Sequence, residues 1–131
     1  LIKELSIKNF FFLKYREDVR PLLKLINIYV CTSRYESSPL SVWEAMSMEK
    51  AIVSTDVGDV SKYIKHGYNG YITNVGNYKE IAELVNDLVI NKSRREIFGK
   101  ICRKVAIDSL DINECSKMHI KAYSELAIKR N

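Results

Sequence analysis

Short apolar runs separated by amphipathic stretches restrict the folds open to this chain. The runs fall at residues 10–13, 28–31, 51–54 and 71–73, and their apolar residues are continuous rather than alternating. A strand buried on both faces has this pattern, and such strands belong to parallel sheets covered by helices. The chain is therefore predicted to be α/β, with a Rossmann-like parallel sheet and helices on both faces.

The segments between and after these runs predict helices. Apolar residues recur at helical spacing at residues 19–25, a second helix is expected at residues 40–48, and a short one at residues 60–64. Pro39 suits the first turn of the second of these, where a missing N–H costs nothing. C-terminal helices, which we interpret as packing elements, are predicted around residues 81–89, 97–105 and 112–128, the last after a candidate cap at Asp111.

Length and cysteine usage indicate one globular domain in a reducing compartment. The chain has 131 residues, 47% apolar and 28% charged, so a single domain over residues 1–131 is expected. It starts at Leu1 rather than methionine, which we interpret as a segment of a longer protein. Cys31, Cys102 and Cys115 form no Cys-x-x-Cys pair. This argues against disulfides or structural zinc and favours the cytoplasm.

The net charge of +5 suits an anionic partner, but the basic residues are scattered and form no block of five. Nucleic acid is therefore not predicted as a partner, whereas a phosphorylated small molecule or an acidic membrane surface would fit. No apolar stretch approaches the roughly 18–20 residues that cross a bilayer. Any membrane contact is expected to be peripheral, at the inner face.

Candidate chemistry lies in the loop after the second run, because ligands of open α/β sheets bind beyond the carboxyl ends of strands. Glu36 is in this loop, and Glu44 is inside the helix that follows. If that helix begins near Pro39, the amides of Leu40 and Ser41 are free to bind an anion, supported by the helix dipole. Glu44 can then accept hydrogen bonds from vicinal hydroxyls, as in ribose binding, and Glu36 can do so for another polyol.

Two glutamates eight residues apart are common by chance. By this spacing alone, each is more often an exposed surface residue than part of a binding site. Their surroundings are more specific. Residues 36–58 resemble the signature of retaining family-4 glycosyltransferases (glycosyl transferases group 1): Glu, seven residues, Glu, Ala-Met, a polar turn, an apolar strand and Thr-Asp-x-Gly. The resemblance extends to residues 12–19 and to the His-Gly-Tyr-Asn-Gly turn at residues 66–70, so it spans nearly the whole chain.

This resemblance implies one half of a GT-B fold: the C-terminal domain, which binds a UDP- or GDP-sugar, without the N-terminal acceptor domain. By the family's pattern, Glu44 holds the ribose hydroxyls and Glu36 contacts the transferred sugar near its reacting carbon. Arg16 falls where the family often places a residue against the nucleobase, and a solvated surface arginine is an equal alternative. Contact with the diphosphate is implied for Ser37, Ser38, Leu40 and Ser41.

The chain departs from the family at several positions. Glycine is common at Lys14 and Asp59. Gly-Phe is common where this chain has Ser37-Ser38, which makes the expected sugar pocket less apolar and leaves the identity of the sugar open. The family's catalytic Arg and Lys, which neutralise the leaving diphosphate in place of a metal, have no match in this chain. We therefore expect donor binding without a metal or other cofactor, and no transfer by the fragment alone. The glycan or lipid acceptor belongs mainly to the missing domain.

Other classes of protein fit less well or stay open. A signalling receiver domain has this size and fold, but its pattern of acidic residues at strand ends fits poorly here. An inactive nucleotide-binding or interaction module of the same fold remains an alternative, as does a sugar-nucleotide epimerase of the GT-B type. His66 and His119 have no metal partners at ligand spacing, and Trp43 is expected in the core.

Overall fold

A parallel three-stranded sheet organises residues 4–128, the part of the chain that the computed structural model describes. The strands follow one another in the order β1-β2-β3, and both pairings are parallel. Three of the four predicted strands are therefore confirmed: β1 (Ile28–Cys31), β2 (Ala51–Thr55) and β3 (Tyr71–Thr73).

Six helices surround this sheet within residues 4–128. One precedes β1, one lies in each connection between strands, and three longer ones follow β3. Their bounds are α1 (Arg20–Leu25), α2 (Leu40–Ser47), α3 (Val60–Tyr63), α4 (Tyr78–Ile90), α5 (Lys92–Leu110) and α6 (Ile112–Ile128). The predicted helices are confirmed, and the Asp111 carboxylate caps α6 by accepting a hydrogen bond from the Asn113 amide at 2.9 Å. No helix in the described range is long and apolar enough to cross a membrane.

The core lies on both faces of the sheet, because alternate strand residues point to opposite sides. All residues of β2 are buried, as its apolar run predicts. On one face Ile52 packs with buried residues of α1, α2 and α3. On the other face Val53 and Tyr71, which pair in register, pack with Leu88 of α4 and Phe98 of α5. The prediction of helices on both faces is confirmed.

The first predicted strand is wrong. Residues 10–13 form no strand, and Phe11 and Phe12 are 80% and 84% exposed. An apolar run becomes a strand only where its backbone reaches a sheet edge and other side chains cover it. Among residues 4–128, no strand pairs with the outer edge of β1. The apolar pattern indicates that these side chains would be stabilised by burial, but it does not indicate which surface would cover them.

A residue with left-handed backbone conformation ends α2 and contacts α5. Glu49 has a φ of 59°, and the amides of Glu49 and Lys50 donate to Met46 O and Ala45 O at 3.1 and 3.0 Å. This is a Schellman motif, in which glycine is the usual left-handed residue. A Cβ on Gly99 of α5 would lie 2.2 Å from the Glu49 carbonyl oxygen. Close backbone contact at this turn therefore fixes where α5 crosses α2.

Replacing Glu49 by glycine is expected to stabilise the fold by about 1 kcal/mol, because a side chain in the left-handed region costs roughly this much. The midpoint of thermal unfolding should rise by ~4 °C in a chain of this size. Glu83→Gly, in the exposed middle of α4, is the matched control and should lose about 1 kcal/mol. A loss of stability in both variants would show that Glu49 is unstrained.

The three cysteines are free thiols in different surroundings. Cys31 and Cys102 are buried, as predicted for small core residues, whereas Cys115 on α6 is half-buried. Burial raises the pKa of the Cys102 thiol to about 12. Its Sγ donates a hydrogen bond to Asn69 O at 2.9 Å.

A thiol reagent at mildly alkaline pH is expected to label Cys115 first and Cys102 only as the chain unfolds, because the thiolate is the reactive form. The order of labelling can be measured by mass spectrometry of digested samples over time. Denaturant should bring the rates of the two cysteines together. Early labelling of Cys102 in native buffer would contradict its packing.

Candidate functional site

Two hydrogen bonds and one close contact hold the loop between β1 and α2, which carries most of the predicted site. The Thr55 hydroxyl donates to Ser33 O at 2.7 Å, and the Asp59 amide donates to Ser37 O at 3.0 Å. Gly58 has a φ of 52°, and a Cβ there would lie 2.2 Å from Ser37 O. Only glycine fits this combination of backbone angle and contact. The Thr-Asp-x-Gly segment, which begins at the last residue of β2, therefore fixes the position of the loop after β1.

Glu36 is exposed beyond the carboxyl end of β1 and is oriented by a serine. Its Oε1 accepts a hydrogen bond from Ser33 Oγ at 2.8 Å, and Cys31 Sγ lies 3.6 Å from the same hydroxyl. One carboxylate oxygen is thus held while the other has no donor within the described residues. Sequence reasoning did not assign Ser33. The available signal was its position in the same loop, three residues before Glu36.

The start of α2 presents free amides, as predicted. The helix begins at Leu40 after Pro39, whose backbone is extended. The amides of Leu40 and Ser41 have no acceptor among residues 4–128, since no preceding helical turn supplies one. Ser38 Oγ accepts a hydrogen bond from Trp43 Nε1 at 3.1 Å, and the Trp43 ring is buried in the core as expected. This bond fixes Ser38 against the first turn.

An apolar cavity of about 270 Å³ lies between α1 and α2 beside β1. Its lining comprises Val19, Leu22, Leu23, Ile26, Tyr29, Ser41 and Glu44. Burial raises the pKa of the Tyr29 phenol, and the carboxylates of Glu44 and Glu36 act in the same direction. Glu44 lines this cavity and Glu36 does not, so a shared donor site for the two glutamates stays a prediction; the cavity adds an apolar wall that the sequence did not reveal.

Arg16 is the predicted site residue that the structure does not bring to this cavity. It is exposed in the irregular segment before α1, and the cavity is lined by other residues. The prediction placed Arg16 directly after a strand at residues 10–13. Because that strand is not formed, no strand end fixes the position of the side chain. A stacking role for Arg16 stays a prediction.

The turn at residues 66–70 contains a buried amide that sequence reasoning missed. Asn69 is 1% exposed, its Oδ1 accepts from the Lys65 amide at 2.6 Å, and its Nδ2 donates to Tyr63 O at 3.0 Å. His66 is exposed in the turn, as predicted, with Nδ1 2.9 Å from Ile72 O. Asn69 therefore ties the end of α3 to the approach to β3.

Two further cavities lie near the carboxyl ends of the strands. The larger, of about 400 Å³, includes Asp56, Lys65, His66 and Glu80 in its lining. The smaller, of about 260 Å³, includes Arg34. Acidic and imidazole groups line the larger cavity, yet no group of three or more His, Cys, Asp or Glu side chains in the described range is placed to hold a metal ion.

The sequence matches the family described as glycosyl transferases group 1 over residues 1–105. The matched part contains the whole sheet, the loop between β1 and α2 and both glutamates, and it ends within α5. The chain therefore belongs to the glycosyl transferases group 1 family, and its fold is that of the C-terminal half of a GT-B enzyme.

Three similar proteins illustrate this family. Spore coat protein SA of Bacillus subtilis is 33% identical over 92 residues, 69% of this chain and 24% of that protein. N,N'-diacetylbacillosaminyl-diphospho-undecaprenol alpha-1,3-N-acetylgalactosaminyltransferase of Campylobacter jejuni is 29% identical over 115 residues, 88% of this chain and 30% of that protein. A mutant of TarM from S. aureus, solved with fondaparinux, alpha-GlcNAc-glycerol and UDP, has a TM-score of 0.84 at 27% identity, over 92% of this chain and 25% of TarM. The chain thus spans between 24% and 30% of these relatives.

Proposed function

We propose that this chain is the donor-binding, C-terminal domain of a retaining glycosyltransferase and holds a UDP- or GDP-sugar beside the N-terminus of α2. The observation that carries the proposal is a set of groups on the loop after β1 and on the first two turns of α2. It comprises the carboxylates of Glu36 and Glu44 and the free amides of Leu40 and Ser41. Carboxylates suit the hydroxyls of sugar and ribose, and free amides at a helix start suit phosphate.

The apolar cavity would receive the nucleoside. Its walls from α1, formed by side chains such as Leu22 and Leu23, suit the flat faces of a base. Glu44 lies on the same lining, where its carboxylate would accept hydrogen bonds from both ribose hydroxyls. Arg16 would add a stacking contact from the segment before α1.

The diphosphate would lie at the positive end of α2. The amides of Leu40 and Ser41 would donate to it, and the helix dipole favours an anion there by about 0.3–1 kcal/mol. Ser37 and Ser38 present small side chains, so phosphate can approach the backbone beside them. Glu36 would face the transferred sugar, because one oxygen of its carboxylate is held by a serine and the other is open to a sugar hydroxyl.

Transfer breaks the bond between the anomeric carbon and a diphosphate oxygen and forms one from that carbon to an acceptor oxygen, which loses its proton. The departing nucleoside diphosphate gains negative charge and needs cationic groups beyond the helix dipole. The family's Arg and Lys have no match in this chain, so we propose that residues of a longer protein outside this segment supply them, and that an N-terminal domain supplies most of the acceptor site. The chain alone should bind the donor without transferring sugar, and no metal or cofactor is proposed.

The acceptor is proposed to be a glycan or a lipid-linked sugar. In support, the Campylobacter relative is named for a diphospho-undecaprenol substrate. The net charge of +5 would favour peripheral contact with acidic headgroups at the inner face of a membrane. Free thiols suit a cytoplasmic location. Nucleic acid is not proposed as a partner.

A second candidate function is a binding module of the same fold without transferase activity. It is favoured by one relative that is named for a spore coat and not for a reaction. An epimerase of the GT-B type is a further alternative. Release of UDP from a UDP-sugar that depends on an added acceptor, measured with the longer protein, would exclude both alternatives.

Titrating UDP and GDP against the isotope-labelled chain by NMR tests donor binding. Shifts are expected at the amides of Leu40 and Ser41 for at least one nucleotide. Glu44→Ala should bind about tenfold more weakly, since hydrogen bonds to a charged group are worth roughly 1.5–3 kcal/mol. Glu83→Ala, on exposed α4 surface, is the matched control and should bind like the wild type. No shift with either nucleotide would contradict the proposal, and equal affinities in the two variants would contradict the role of Glu44.

A further inference from the structure

The smaller cavity is lined in part by an exposed arginine, Arg34, that has no partner within the described residues. Its volume is about 260 Å³, and its lining comprises Thr32, Arg34, Thr55, Gly76, Tyr78 and Ile81. The Arg34 guanidinium makes no hydrogen bond or ion pair with any residue from 4 to 128. No carboxylate belongs to the lining, so an anion entering the cavity would meet a positive charge without an opposing acid on the wall.

The wall around Arg34 is held in place by the same contacts that order the loop after β1. The Thr55 hydroxyl, on the cavity wall, donates to Ser33 O at 2.7 Å, directly before Arg34. The nearest acid in the loop, Glu36, already accepts a hydrogen bond from the Ser33 hydroxyl. Tyr78 is the first residue of α4, whose first turn also carries Glu80, an acidic residue outside this lining.

This cavity and the apolar cavity lie on opposite sides of the sheet. Tyr78 and Ile81 belong to α4, which covers one face, whereas Glu44 belongs to α2, which covers the other. A single loop joins the two sides, with Arg34 and Glu36 two residues apart on it. A donor with its diphosphate at the start of α2 would therefore leave the Arg34 cavity free for a second anion.

We propose that the Arg34 cavity binds a phosphate group carried by the acceptor substrate, an assignment that rests on the proposed function. A guanidinium offers two parallel N–H donors that match two phosphate oxygens. The Thr32 hydroxyl supplies another donor on the same wall. The cavity would thus select phosphorylated acceptors and direct the neighbouring hydroxyl toward the sugar that Glu36 contacts.

The test is an NMR titration of the chain with inorganic phosphate, alone and with saturating UDP. Shifts are expected at the cavity residues, and Arg34→Gln should weaken phosphate binding at least about tenfold. Arg34→Lys should retain part of the affinity, because it keeps the charge but not the paired donors. Lys104→Gln, which removes one positive charge from exposed α5 surface, is the matched control and should change the affinity less than about twofold.

Phosphate affinity that is the same with and without UDP would support a site separate from the donor. Competition between UDP and phosphate would assign the cavity to the donor's own diphosphate and overturn the inference. Absence of shifts at the cavity, or equal losses in Arg34→Gln and Lys104→Gln, would overturn it as well. If phosphate binds through Arg34 while UDP binds nowhere, the proposed function fails and the acceptor role is overturned with it, although the anion site itself is real.

Discussion

A Gly58→Ala variant is expected to lose about 2–4 kcal/mol of folding free energy and to bind nucleotide at least tenfold more weakly. The added Cβ would lie 2.2 Å from Ser37 O in a backbone with a φ of 52°. Strain in the left-handed region and overlap with a carbonyl both oppose folding of this turn. The displaced Ser37 would carry Glu36 and the start of α2 with it. Urea unfolding and a UDP titration measure the two effects.

Gly67 supplies the matched control for this variant. Its φ is 76°, also left-handed, but nothing lies within 4 Å of where a Cβ would be. Gly67→Ala should therefore lose only about 1 kcal/mol and keep nucleotide affinity. Similar losses in the two variants would show that backbone angle alone, and not the close contact with Ser37, accounts for the effect at Gly58.

An Asn69→Ala variant is expected to lose about 2–4 kcal/mol of folding free energy. The substitution leaves the Lys65 amide and Tyr63 O without partners in a place where Asn69 is 1% exposed. Each buried group left unpaired costs about 1–3 kcal/mol. Chemical denaturation measures the loss. Nucleotide affinity should be retained under conditions where the variant is folded, because Asn69 supports the approach to β3 and not the start of α2.

Asn86→Ala on the exposed surface of α4 is the control for this substitution, and its stability should change by less than about 0.5 kcal/mol. An Asn69→Ala variant as stable as Asn86→Ala would show that water replaces the lost hydrogen bonds. That result would make the turn at residues 66–70 a surface feature and not part of the core.

The sheet and its helices could be predicted because their signals are local. Continuous apolar residues at 51–53 are buried on both faces in β2, and Pro39 marks the start of α2, whereas β1 is an edge strand in which Val30 is 40% exposed. The strand predicted at residues 10–13 has the same local signal and is not formed. Whether an apolar run is buried depends on a partner edge, and that is a tertiary property which the run itself does not encode.

The site could be predicted only in part for a similar reason. Glu44 and the free amides of Leu40 and Ser41 follow from helix geometry, once the start of α2 is known. The Ser33 contact to Glu36 and the close approach of Gly58 to Ser37 depend on how two loops meet. The apolar cavity depends on the packing of α1 against α2, which periodicity does not specify.

The most direct test of the central claim, that Glu44 holds ribose, is a comparison of two ligands with two proteins. The affinities of the wild type and Glu44→Ala for UDP and for 2′,3′-dideoxy-UDP can be measured by calorimetry. Glu44→Ala is predicted to weaken UDP binding about tenfold and to leave dideoxy-UDP binding unchanged, because the second ligand lacks the hydroxyls that Glu44 would bind. Equal losses for both ligands, or no loss for either, would contradict the assignment of Glu44 to the ribose.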